Sequence, residues 1–332
     1  MPDSNLSAFY KGKRVLITGG LGFIGSRLAH SLLEMQAQVT IVDNLLPEGG
    51  ANRFNVEQIK NQIKVKIADI KDAGSMEGPV REAQLIFNLA GALSHTGSMA
   101  NPFLDLEANC LAHISFLEVC REHNPEVKIA YSATRSQYGR ARYLPVNEVH
   151  PMQPTDANGI NKMAGEWYHI LYFKNYGLKS FSLRLTNTYG PGHQMKSPHQ
   201  GVINWWIRQL IEGEKIRIYG DGSQIRDLSY VDDAVKALLL GMAREETNGE
   251  IYNLGGEALS LKDIAELMIK VYGKGSYELV PYPPETKRVE VGNYVGDYQK
   301  IKKAIGWKPE ITIEEGFRAT FDYYTKNKSH YW

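Results

Sequence analysis

The chain has 332 residues, with 43% of them apolar and a formal charge of +1. That length holds one large or two modest domains, and the near-neutral balance gives no argument for nucleic acid or a strongly acidic partner. No apolar run reaches the roughly 18 residues of a membrane span, and the stretch before Val15 lacks the apolar core of a signal peptide, so a cytoplasmic protein is expected. The two cysteines, Cys110 and Cys120, fall ten apart in one predicted helix. That is no metal-ligand spacing, and they read as buried, reduced thiols with no metal site implied.

In chain order, "VLIT" (15–18) reads as a buried parallel strand, short, apolar and β-branched. Gly19, Gly22 and Gly25 follow at spacings of three, then "SRLAHSLLEM" with apolar residues at helical intervals, then "QVTIVDN", a strand ending in Asp43. A pyrophosphate must approach backbone N–H groups where a helix begins, and side chains on the loop would block it. Asp43 accepts hydrogen bonds from both adenosine ribose hydroxyls and repels a 2′-phosphate, which selects NAD over NADP. The expected cofactor site comprises Gly19, Gly22, Phe23, Ile24, Gly25, Asp43, Asn44, Asp69, Ile70, Leu89, Ala90, Gly91, Asn109 and Ser132.

The alternation continues with strands at "KVKIADI" (64–70), "LIFNLAG" (85–91) and "KIAYSAT" (128–134), and a helix over about 103–123. The fold class is therefore α/β, a Rossmann-type doubly wound parallel sheet over residues 1–180. A smaller substrate-binding lobe over 181–332 is expected to interleave with the last sheet strands. Ligands gather at the carboxyl ends of such strands, where Asp43, Asp69, Ala90, Ser94, His95 and Thr134 fall. "TDANGINKMAGEW" (155–167) opens a helix capped by Asp156 or Asn158. "GPGHQMKSPHQG" (190–201) is a long loop of the kind that covers a substrate, with His193 and His199 read as solvated. "EALSLKDIAELMIKVYG" is read as an amphipathic helix capped by Ser260, and Trp205, Trp206 and Trp307 as core.

The motifs "TGGLGFIG" (18–25), "FNLAG" (87–91), "YSATRSQYG" (131–139), "NKMAGE" (161–166), "LRLTNTYGPG" (183–192), "YGDGSQIRDLSYVDD" (219–233), "YNLGG" (252–256) and "IGWKP" (305–309) appear in order over most of the chain. Together they resemble the extended short-chain dehydrogenase/reductases, and more narrowly the NAD-dependent epimerase/dehydratase group acting on nucleotide sugars. The resemblance implies a catalytic role for Thr134 and Lys162, with Lys162 also joining the cofactor site by holding the nicotinamide ribose, and diphosphate contacts for Asn187, Arg226 and Arg288. It also implies a homodimer formed by the helices near 103–123 and 161–176. Arg226, in a turn-rich segment, has the fork of N–H donors that suits a diphosphate, or else pairs with Asp227 or Asp232.

The sequence departs from the family at the catalytic tyrosine. Four residues before Lys162 stands Asn158, which cannot ionise. Asn158 is expected to occupy the phenol's place and hydrogen-bond the reacting hydroxyl or a water. The proton then has to leave through Thr134, Lys162 or His95, with Tyr138 and Tyr143 nearby in sequence. The family's dehydratases carry Asp and Glu directly after the threonine, and its decarboxylases a Glu two after it; here those positions are Arg135 and Ser136. Elimination loses its acid and base, while Arg135 offers a cation to a substrate carboxylate or to Glu148, with Ser94 as a further substrate contact. The leading reading is an NAD-dependent nucleotide-sugar epimerase. Beside it stand a non-catalytic NAD- or nucleotide-sugar-binding protein, which Asn158 favours, and a dehydratase, decarboxylase or reductase.

Overall fold

The computed structural model describes residues 4–46, 49–197 and 201–332. Among the described residues twelve strands run in chain order: β1 (Arg14–Thr18), β2 (Gln38–Asp43), β3 (Lys64–Ile67), β4 (Leu85–Asn88), β5 (Lys128–Thr134), β6 (Ser180–Leu185), β7 (Asn187–Tyr189), β8 (Ile216–Tyr219), β9 (Ile225–Tyr230), β10 (Ile251–Asn253), β11 (Glu257–Ser260) and β12 (Tyr277–Val280). Seven make one parallel sheet in the order β10-β6-β5-β4-β1-β2-β3. The order reverses between β1 and β4, which opens a crevice above their carboxyl ends.

Burial on both faces explains the apolar runs. Val15 and Ile17 of β1 enter one core cluster and Leu16 enters the cluster on the opposite face. β3 is the edge strand and is exposed along its length. It stops at Ile67, three residues short of the expected span, and residues 68–70 turn instead toward the crevice.

Residue 180 is the first of β6, a strand of the main sheet. Beyond it the chain alternates between two sites. β10 returns to the main sheet, while β7, β9 and β11 form a three-stranded sheet and β8 and β12 a two-stranded one. Trp206 and Trp307 are buried in the larger core cluster, and Trp205 is partly buried against it. Residues 257–260 are strand rather than helix, and the amphipathic helix is Leu261–Tyr272, with the Ser260 hydroxyl accepting the Asp263 N–H at 3.0 Å. The expected 103–123 helix is Pro102–Leu106, a π-turn at Glu107–Leu111, and Ala112–His123. Both cysteines are buried and unpaired. Among the described residues no helix is long and apolar enough to cross a membrane.

Candidate functional site

A cavity of about 380 Å³ lies over the β1/β4 crevice. At one end is the turn between β1 and the helix Phe23–Glu34. Gly19 has φ +68°, and a Cβ there would sit 2.9 Å from the Ala90 nitrogen. A Cβ on Gly25 would come within 2.4 Å of the Gly19 carbonyl, so the close seating of this helix on the turn requires glycine. The helix begins at Gly22 with no side chain capping it, which leaves its first N–H groups to a phosphate. Asp43 ends β2 on the cavity wall, with Oδ2 accepting the Leu21 N–H at 3.0 Å and Oδ1 the Leu45 N–H at 2.9 Å. Burial raises its pKa and the two N–H groups oppose the rise. A glycine turn at a free helix end with an acid beside it fits a dinucleotide. Gly19, Gly22, Phe23, Ile24, Gly25, Asp43, Asn44, Asp69, Ile70, Leu89, Ala90, Gly91, Ser132 and Lys162 all line the cavity. Asn109 does not; it stands behind the wall, its side chain exchanging hydrogen bonds with the backbone of Ala92 at 3.0 and 3.1 Å.

Further along, the cavity is lined by Thr134, Arg135, Ser136, Lys162, His95 and Asn187. Thr134 ends β5, and its hydroxyl is 3.0 Å from that of Ser136. Lys162 projects from the helix Ala157–Tyr176, whose cap is Asp156 and not Asn158. Its Nζ donates to the Ser132 carbonyl at 3.2 Å, and burial lowers its pKa to about 8 against the opposing pull of Asp105. Arg135 lies over the Tyr294 ring at 4.9 Å, with Nη2 3.4 Å from Asn187 Oδ1. Among the described residues no carboxylate lies in ion-pair range of it, and Glu148 instead accepts the Asn253 N–H at 2.8 Å. Burial, then Arg226, lowers the Arg135 pKa, but a guanidinium remains charged. The site thus holds a cation on the cavity wall with no ion-pair partner among the described residues, offset only at longer range by Asp227 and Glu290. His95 Nδ1 lies 2.7 Å from Asp156 Oδ2.

Several expected site residues lie elsewhere. Asn158 is not on the cavity wall: its amide N–H groups donate to the Ala92 carbonyl and to Asp105 Oδ2, both at 2.9 Å. The buried Asp105 carboxylate, which also accepts from Asn161 at 2.8 Å, is the stronger acceptor and draws the amide away from the phenol's place. Ser94 spends its oxygen capping the short helix His95–Ala100. Arg226 lies in β9 rather than in a turn, and its fork is closed by Glu290 at 2.6 Å and the Gly292 carbonyl, not by Asp227 or Asp232. Arg288, exposed on the helix Pro284–Val289, does not reach the cavity.

Tyr138 is fully buried against Asn253 and Arg184, its pKa raised by burial to about 12, and Tyr143 bonds Asn147 on the surface. Neither lines the cavity. His193 does, but it is buried rather than solvated, edge-on to Phe23, with its pKa lowered by burial to about 4. His199 lies outside the described residues. Asp156, read from sequence only as a cap, and Asp105, not singled out at all, carry no motif that would have marked them.

A free helix end beside a terminal acid, at the switch point of a parallel sheet and adjoining a buried lysine and a threonine, defines a Rossmann-type nucleotide-binding protein of the short-chain dehydrogenase/reductase class. The GDP-mannose 4,6 dehydratase family model matches residues 16–320, and the chain belongs to that family. It is 32% identical over 317 residues to a putative UDP-glucose 4-epimerase of Methanocaldococcus jannaschii, covering 94% of this chain and 99% of that protein. The structure of UDP-glucose 4-epimerase with UDP-glucose from Thermotoga maritima superposes with a TM-score of 0.85 at 30% identity, covering 95% of this chain and 99% of that one. The Thermus thermophilus UDP-glucose 4-epimerase complex with NAD gives 0.83 at 30%, covering 94% and 98%.

Proposed function

We propose that the protein is a cytoplasmic, homodimeric, NAD-dependent epimerase of a nucleotide diphosphate sugar. The observation that carries this reading is the continuity of the cavity, which runs from Asp43 and Gly22 past Lys162 and Thr134 to Arg135 and Asn187. When bound, NAD takes up and returns a hydride at one sugar carbon. Gly22 and its neighbours hold the pyrophosphate and Asp43 the adenosine ribose. Lys162 holds the nicotinamide ribose and, with Thr134, fixes the reacting hydroxyl. Arg135 and Asn187 receive the anionic part of the substrate, and Arg226 joins them on release from Glu290.

Epimerase is favoured over dehydratase or decarboxylase because Arg135 and Ser136 stand where those reactions need acids. The homologous epimerases support it. The dimer reading rests on exposed apolar side chains on the helices named from sequence: Phe103 is 81% exposed, and Leu111, Ile160, Trp167 and Leu171 are exposed too.

The test is to incubate purified protein and NAD with UDP-, CDP-, dTDP- and GDP-sugars, following absorbance near 340 nm and the sugar by NMR. Inversion at one carbon without loss of water or carbon dioxide supports the proposal. NAD and sugar binding without any turnover would leave the binding-protein reading in its place.

A further inference from the structure

We propose that His95 and Asp156 together replace the missing phenol, with His95 Nε2 as the proton acceptor and Asp156 as the positioning residue that fixes its tautomer. This rests on the epimerase reading and names the group that reading lacks.

The two residues come from separate parts of the fold. His95 is the first residue of the short helix after β4, on the cavity wall with Lys162 and Thr134. Asp156 caps the helix that carries Lys162, two residues before the position where the family places its tyrosine. The Asp156 side chain is 2% exposed and its oxygens have separate tasks: Oδ1 accepts the Gly159 N–H at 2.8 Å, and Oδ2 faces His95 Nδ1 at 2.7 Å. Burial opposes ionisation of Asp156, but His95 and the Gly159 N–H outweigh it and the pKa is lowered. An ionised carboxylate only accepts, so Nδ1 carries the proton, and in the neutral ring Nε2 presents its lone pair. Among the described residues Nε2 has no hydrogen-bond partner.

Asn158 secures this arrangement. Its backbone N–H donates to the Ser98 hydroxyl at 3.2 Å, which donates to the His95 carbonyl at 2.8 Å, while its amide holds the Ala92 carbonyl. The residue standing in the tyrosine's place thus pins the segment bearing the histidine to the helix. The other candidates are less suited. Lys162 donates to Ser132, Thr134 does not ionise near neutrality, and His193 is buried beside Phe23 with Nδ1 against the Gln194 carbonyl.

In the oxidation half, the sugar O–H bond would break and its proton pass to Nε2, while the carbon-bound hydrogen would leave with its electron pair as hydride to bound NAD and the carbinol would become a carbonyl. In the return half the carbonyl oxygen would take the proton back from His95 as the hydride is restored on the opposite face.

Asp156→Asn separates capping from positioning. Asn caps a helix as well as Asp does. With its one oxygen on Gly159 N–H, however, it turns its NH₂ to Nδ1, which moves the imidazole proton to Nε2. The experiment compares wild type, Asp156→Asn and His95→Gln for kcat, KM, NAD affinity, melting temperature and the ¹⁵N shifts of His95 in the NAD-bound protein. Both variants are expected to lose about 10²–10⁴-fold in kcat, with KM, NAD affinity and melting temperature held. The wild-type spectrum should show the Nδ1–H tautomer and Asp156→Asn the Nε2–H form. Variants turning over at the wild-type rate, or a wild-type Nε2–H tautomer, would overturn the pair while leaving the epimerase reading intact. Absence of turnover in wild type with every nucleotide sugar would overturn that reading, and the pair with it.

Discussion

Replacing Asp43 with Asn tests the cofactor end of the site. The carboxylate is 7% exposed and already accepts one backbone N–H on each oxygen. Each carboxylate oxygen has two lone pairs, so one acceptor position per oxygen is left for the two ribose hydroxyls. An amide offers a single oxygen, so Asp43→Asn strands either the Leu21 or the Leu45 N–H and loses at least one ribose contact. Hydrogen bonds to charged groups contribute about 1.5–3 kcal/mol, so NAD should bind roughly 10- to 150-fold more weakly. NADP should lose less, because the variant removes the charge that repels its 2′-phosphate. Calorimetry with both cofactors at fixed ionic strength measures the ratio, and thermal unfolding of the free variant separates loss of fold from loss of binding. NAD should also weaken in acid: binding needs the ionised carboxylate, burial holds its pKa above the ordinary Asp value, and affinity falls as the pH drops through it. Wild type binding NADP as tightly as NAD, or Asp43→Asn keeping the full preference, would refute this reasoning.

Arg135→Met keeps the side-chain bulk over Tyr294 but removes the charge. The Michaelis constant for the nucleotide sugar should rise about 10- to 150-fold, as expected for a charged hydrogen bond of about 1.5–3 kcal/mol, with NAD affinity unchanged; an unaltered KM would mean that the anionic group binds elsewhere. Phe103→Glu should give a monomer by light scattering with its circular dichroism intact, whereas a wild-type protein already at the chain mass would end the dimer proposal. Asn158→Tyr should neither speed turnover nor leave stability alone. It removes one donor from the buried Asp105 carboxylate, which keeps Asn161, and one from the Ala92 carbonyl, which keeps Asn109, a loss of about 0.5–3 kcal/mol per hydrogen bond. Urea unfolding and initial rates check this, and a variant both as stable as wild type and faster would show that the position still serves the chemistry.

What the sequence disclosed and what it hid differ in range. The glycine turn, Asp43 and the strand ends were legible because a pyrophosphate needs several N–H groups from one short segment, which forces a local pattern. Thr134 and His95 reach one cavity because parallel strands bring their carboxyl ends to the same edge, and Lys162 reaches it from the helix Ala157–Tyr176. Nothing local marks His95 for Asp156, 61 residues on, or Asn158 for Asp105, 53 residues back. Arg226 misled for a related reason: its donor fork suits a diphosphate, but Glu290, 64 residues away, suits it equally. The length of the helix before residue 123 was readable from apolar spacing, while the π-turn at Glu107–Leu111 beside Asp105 left no trace in it.

Asn158 taken alone looks like the loss of an acid–base group. In place, it belongs to a connected set: Asp105 holds Asn158 and Asn161, Asn158 holds Ala92 and Ser98, and Ser98 and Asp156 hold His95. Each member satisfies a buried polar group that another would leave exposed to an apolar interior, so the set is favourable as a whole and costly in parts. Asp105 without amide donors would be a buried carboxylate without partners. His95 without Asp156 would have no fixed tautomer, and without the Asn158 anchors no fixed place. A phenol at 158 carries a single O–H and cannot hold Asp105 and Ala92 together. The sequence difference at one position is therefore coupled to residues 92, 98 and 105. Reversing it alone restores the spacing to Lys162 without the surroundings a phenol would need.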